Sequence, residues 1–186
     1  MKPTLPSPRI RELILLIGIA LTMAVEAIAV RAAENTNEFT KPVIDLGIVV
    51  KNADRSAAFL TNAIGFQEVG GFSVTTELGR KIGLVDGYPV NVRVFVLGEG
   101  DLATRIKVLW FPEAPAKQPD QASIHATLGI RYLTLYVKDI DRALARLRKA
   151  GVALLGESPV DLGNRAFLVA VKDPDGNFIE LIGPRP

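Results

Sequence analysis

A carboxylate inside an apolar strand needs a partner or water, because an unpaired buried charge is very costly. Near the end of this chain the segment "DPDGNFIELIG", Asp173 to Gly183, sets Glu180 between Ile179 and Leu181. Such a group serves as a metal ligand, a general base or one half of an ion pair; the alternative is a solvated side chain on an open sheet face. The remaining composition narrows the choice. With no cysteine, disulfides, thiolate metal sites and a cysteine nucleophile are excluded. The single histidine, His125 in "ASIHATLG", reads as a surface-loop residue, so no histidine cluster can hold a metal within one chain. No serine lies in a nucleophile motif, which leaves a hydrolase triad without support. The two aspartates of "DPDG" are turn chemistry, with proline setting φ and glycine accepting positive φ; they are not counted as a metal or nucleotide site.

The elements that must position Glu180 can be read from apolar periodicity. Val43–Val50 reads as a buried strand, and Asn52 caps a helix that begins at Ala53, carries Ala57, Leu60 and Ile64 on one face, and stops at Gly65. Strands follow at 66–76, 91–98 and 104–111, with a bulge or bend at Gly70-Gly71. The proline-rich "PEAPAKQPDQ", 112–121, reads as a linker. The first pattern then returns: a strand at 130–137, an Asp139-capped helix with Ile140, Leu144 and Leu147 on one face, a stop at Gly151, and strands at 152–155, 166–172 and 177–182. "GIVVKNADRSAAFL" and "TLYVKDIDRALARL" share V-K-x-x-D-R-x-A at an offset of 87 residues. A repeat of that length implies two copies of one β-α-β-β-β unit packed on each other. Period-2 alternation puts Phe178, Glu180 and Ile182 on one face of the last strand, and Ile179 and Leu181 on the helix-covered face. By the same alternation Arg131 is expected at the surface, opposite Tyr132.

The N-terminus reads as a leader. Lys2, Arg9 and Arg11 precede the apolar run Leu13–Val25, and small residues follow at Ala27, Ala29 and Ala32. Residues 1–33 are therefore expected to be a signal peptide, giving an exported (periplasmic or secreted) chain. The alternative is an uncleaved N-terminal anchor, although thirteen uninterrupted apolar residues fall short of the about 20 that span a bilayer. Without the leader, 18 basic and 18 acidic residues remain. A near-neutral domain with no basic run gives no support to nucleic-acid binding, and a membrane partner is expected only if the leader is retained. Residues 34–42 form a connector, and 43–186 one domain: module one at 43–111, linker at 112–129, module two at 130–186.

The tandem β-α-β-β-β repeat, "YVKDIDRALARLRKAGV" and the closing "DPDGNFIELIG" together resemble the vicinal oxygen chelate superfamily: glyoxalase I, extradiol dioxygenases, and bleomycin and fosfomycin resistance proteins. The resemblance spans roughly residues 43–183 and implies an α+β fold of tandem modules forming a concave, partly open mixed sheet with helices outside. It also implies four pocket positions on the first and last strands of each module, which fall at Asp45, Lys107, Tyr132 and Glu180. Metal-binding members resemble one another in carrying His or Gln, Glu, His and Glu there. Of these only Glu180 matches, Asp45 could ligate through oxygen, and Lys107 stands where a carboxylate would be wanted. Glu180 is thus the candidate catalytic residue, and Glu180 with Asp45 the candidate metal ligands. A divalent metal is not firmly implied, and an ion pair between Glu180 and Lys107 is the expected substitute. The resemblance implies a small-molecule ligand in the cleft between modules. The alternatives it leaves are a metal-dependent lyase or dioxygenase of the glyoxalase type and a non-catalytic structural or partner-binding domain. Modules in this superfamily can be exchanged between subunits, so a homodimer is open to it.

Overall fold

The computed structural model of the chain describes residues 38–114 and 116–186. The leader expected over 1–33, and residues 34–37 of the connector, lie outside the described residues. The domain, Val43–Pro186, is one compact unit.

Module one runs β1 (Asp45–Val49), α1 (Ala53–Ala58) continuing as a π-helical segment (Phe59–Ile64), β2 (Gln67–Val74), α2 (Thr76–Ile82), β3 (Val90–Leu97) and β4 (Thr104–Trp110). Module two runs β5 (Tyr132–Tyr136), α3 (Ile140–Lys149), β6 (Leu154–Gly163), β7 (Ala166–Lys172) and β8 (Phe178–Pro184). The bounds of β5 lie 87 positions after those of β1, and the two sheets share one strand order, β1-β4-β3-β2 and β5-β8-β7-β6. In both, the first strand pairs in parallel with the last and the other pairings are antiparallel.

Local chemistry sets the element ends. Asn52 accepts from the Arg55 amide and Asp139 from the Asp141 and Arg142 amides, each meeting otherwise orphan donors at a helix start. Gly65, at φ 98°, ends the π-helical segment in the left-handed region, with its amide on Leu60 O at 2.9 Å. The bulge expected at Gly70-Gly71 is a register shift between Glu68 and Gly70. At the β6–β7 hairpin, Asn164 and Arg165 both take positive φ, as a two-residue type I′ turn requires.

Helix α2 was not expected. The strand predicted over 66–76 ends at Val74, and Thr75 caps a new helix by accepting from the Leu78 amide. Thr75 before Glu77, with Gly83 as the stop, was the available signal, but seven residues carry too little periodicity to announce a helix.

The helix-covered faces of both sheets share one core. Phe95, Ile106 and Val108 from module one join Val169, Val171, Ile179 and Leu181 from module two around Leu60, Ala63, Ile140 and Leu147 of the helices. A hydrogen-bonded clasp binds the helices together: Arg146 of α3 donates from Nε to Ala63 O at 2.9 Å and from Nη2 to Ile64 O at 2.8 Å.

Candidate functional site

The core assigns the faces of the sheets. Ile179 and Leu181 lie in the core, so Phe178, Glu180 and Ile182 point to the other face, as the alternation predicts. The same holds in module one, where Ile106 and Val108 are buried and Arg105, Lys107 and Leu109 point away. All four family positions therefore lie on strands with one face turned away from the shared core, a face on which Val92 of β3 is nonetheless buried. Residues opposite one another across strands share a face. One row on this face is Val49, Leu109, Val92 and Phe72, and its counterpart in module two is Tyr136, Ile182, Leu168 and Val160.

The polar groups on these faces pair within their own sheets. Lys107 Nζ lies 2.9 Å from Asp45 Oδ2, both side chains being about one-third exposed. Thr134 Oγ1 donates to Glu180 Oε2 at 2.8 Å across the β5–β8 pair. The expected ion pair between Glu180 and Lys107 is absent among the described residues. The two belong to separate sheets, and each has a nearer partner on the adjacent strand. Tyr132 is half exposed beside Phe178, its cross-strand neighbour.

Lys107 holds Asp45, Glu180 is engaged by a hydroxyl, and no three potential His, Cys, Asp or Glu ligands converge among the described residues. The consequence for Glu180 can be measured. Because its partner is a neutral hydroxyl at a half-buried position, and a glutamine carbonyl can still accept from Thr134, Glu180→Gln should cost no more than about 1 kcal/mol in urea unfolding. The value should be the same with or without added divalent metal. A loss of about 3–5 kcal/mol, the range for a broken buried ion pair, would contradict this arrangement.

A second site lies where the modules meet. A cavity of about 150 Å³ is lined by Leu46, Gly47 and Ile48 of β1, Ser56 of α1, Phe59 and Leu60 of the π-helical segment, Tyr132 and Leu133 of β5, and Phe178 and Ile179 of β8, among others. Of the four family positions only Tyr132 reaches it. The wall is apolar except at a few points. Ser56 is 2% exposed, and its Oγ has no hydrogen-bond partner. Arg131 is half-buried rather than at the surface as expected; it donates to Asp120 O, Gln121 Oε1 and Ile124 O and so ties down the linker. Asp173 accepts from the amides of Asp175 and Asn177 and from Asn177 Nδ2, which confirms the turn role of "DPDG". Burial raises its pKa above the ordinary carboxylate value, against the lowering effect of the Asn177 bonds. His125 is exposed in the linker, as expected.

Neither Ser56 nor Thr134 was singled out from sequence. Ser56 had a signal: it precedes Leu60 by four positions, so a polar group stood on the buried stripe of the helix.

The comparisons with known proteins agree with this architecture. The family model for the Glyoxalase/Bleomycin resistance protein/Dioxygenase superfamily matches residues 43–181. Among solved structures, a glyoxalase family protein from Bacillus cereus is 27% identical with a TM-score of 0.66, covering 81% of this chain and 98% of its own. The glyoxalase I of Leishmania major is 21% identical with a TM-score of 0.55, over 77% of this chain and 87% of its own. A glyoxylase/bleomycin resistance protein/dioxygenase domain from Frankia sp. is 18% identical, also at 0.55, over 80% and 93%. These last two share the fold. No curated protein matches the chain.

Proposed function

The chain belongs to the glyoxalase/bleomycin resistance protein/dioxygenase superfamily, and from that premise we propose that it binds a small molecule in the cavity between its two modules. The observation that carries this reading is the apolar cavity between β1–α1 and β5–β8, with few polar groups in its wall. Pockets of that kind are the usual binding sites of small ligands. The four family positions form a degenerate metal site in this reading, since a lysine and a tyrosine stand among them and the lysine already holds Asp45. That weighs against a metal-dependent lyase or dioxygenase. The cavity weighs against a purely structural domain.

Toluene is a suitable first probe, because a largely apolar pocket of about 150 Å³ has room for a benzene-sized ring. Toluene near saturation should raise the melting temperature of the wild-type chain, by linkage to a site present only in the folded state. Leu46→Phe, which puts a larger side chain into the same space, should lose that increase. An equal increase in both proteins, or none in the wild type, would contradict the reading.

The open faces support a homodimer. Val49, Phe72, Tyr136 and Val160 are exposed there, with Tyr136 80% exposed, and the repeat gives both modules equivalent apolar rows. A second copy related by a two-fold axis could cover both faces at once, by the same contacts used twice. Light scattering should give twice the chain mass for the wild type and the single mass for Tyr136→Lys; a monomeric wild type rejects the dimer. Export follows from the leader. The mature chain should begin near Val30 to Glu34 by mass spectrometry, whereas an intact Met1 in a soluble cytoplasmic form would reject it.

A further inference from the structure

Among the described residues, the wall of the inter-module cavity holds two charged side chains, Arg131 and Asp173. Both oxygens of Asp173 are engaged by its own turn: Oδ1 accepts from the amides of Asp175 and Asn177, and Oδ2 from Asn177 Nδ2. Arg131 is half-buried, and every bond it makes goes to a neutral oxygen. Its Nε donates to Ile124 O at 3.1 Å. Its Nη2 donates to Asp120 O at 2.9 Å and Gln121 Oε1 at 2.8 Å, with Ser123 O further off at 3.4 Å. Nη1 has no partner among the described residues. It is not sealed off either, since Ser56 Oγ is the side-chain atom there that is both shut from solvent and unbonded. Carbonyl groups satisfy N–H donors but leave the charge of a guanidinium unmatched, and a half-buried charge is stabilised by an opposite one.

We propose that the ligand of this cavity is a small apolar monoanion, a carboxylate on a single ring, and that Arg131 Nη1 is the group that recognises it. The proposal rests on the reading of the cavity as a binding site and adds the chemical class of its occupant. One unmatched positive charge calls for one negative charge, and a space of about 150 Å³ holds one ring. The ring lies against the apolar wall formed by Leu46, Phe59, Leu60 and Leu133. The carboxylate accepts from the two N–H groups of Nη1 in a charge-assisted contact. Nε and Nη2 keep their linker carbonyls, so the ligand displaces no bond of the protein.

Benzoate and benzamide have nearly the same shape and differ in charge. Calorimetric titration of the full chain at neutral pH should show benzoate binding the wild type at least as tightly as benzamide. A wall with no cation within reach would give the opposite order, because the carboxylate would lose its water without gaining a partner. In Arg131→Gln the benzoate-to-benzamide ratio of dissociation constants should rise about tenfold or more, as expected for loss of a hydrogen bond to a charged group. Toluene, which has nothing to offer the guanidinium, should bind this variant as it binds the wild type, showing that the cavity is intact. Arg131→Lys keeps the charge without the planar fork and should recover part of the preference for benzoate. If toluene binds the wild type but benzamide binds it more tightly than benzoate, or if Arg131→Gln leaves the ratio unchanged, the anion and its recognition by Arg131 are overturned while the binding cavity stands. If none of the three probes binds the wild type, the cavity reading falls and this proposal with it.

Discussion

Gly183→Ala is expected to destabilise the domain by about 3 kcal/mol, at the upper end of what forcing extra volume into a packed site costs. Gly183 is the last glycine of the "DPDGNFIELIG" segment and lies in β8, a central strand of its sheet. A Cβ placed there would lie 2.3 Å from Val137 O and 2.7 Å from Val137 Cγ2. The first contact is backbone, and it cannot rotate away. Val137 is itself held by its amide on Ile182 O at 2.8 Å, so relief would have to break the end of the β5–β8 pairing. Urea unfolding should show a lower midpoint with an unchanged slope. Gly47→Ala is the control, since its Cβ would meet only Leu109 Cδ1, at an ordinary 3.5 Å. Equal effects at the two glycines would contradict the argument.

Arg146→Ala should cost about 2–4 kcal/mol. The Arg146 guanidinium makes two charge-assisted bonds, to Ala63 O and Ile64 O. These carbonyls lie at the end of the π-helical segment, where a helix leaves its last acceptors without amide partners. Alanine would leave both half-buried and unmet, and each lost bond to a charged group is worth about 1.5–3 kcal/mol before water compensates. Arg146→Lys should recover only part of the loss, because one ammonium cannot reproduce the two-pronged geometry. Since the clasp joins α3 to the segment after α1, the loss should fall on the packing of one module against the other. A stability change below about 0.5 kcal/mol in unfolding would show that the clasp carries no load.

The repeat was legible because both of its signals are local and regular. The strand-to-helix junctions at Asn52 and Asp139 carry their own capping chemistry, and the apolar stripes Leu60–Ile64 and Ile140–Leu147 fix which side each helix buries. The orientation of Glu180 followed from alternation alone. Its partner did not. Choosing Lys107 assumed that the two sheets meet at equivalent strands, whereas cross-strand neighbours within each sheet, Asp45 for Lys107 and Thr134 for Glu180, were closer. Arg131 was misplaced for a related reason: alternation gives the direction of a side chain but not what the linker will lay across it. The cavity was the least legible feature. It is formed by residues such as Leu46, Leu60 and Ile179 that read as ordinary core in sequence, and by Ser56, a polar residue on a buried helix stripe.

The central claim is that the ligand site lies between the modules and not on the open sheet faces. Methyl-resolved NMR of the full chain titrated with toluene tests it directly, because the two surfaces carry different methyl groups. Leu46, Ile48, Leu133 and Ile179 line the cavity, while Val49, Val160 and Ile182 lie on the open faces. The account predicts saturable shifts in the first set and none of comparable size in the second. Saturable shifts confined to Val49, Val160 and Ile182 would place the ligand on the open faces and contradict it.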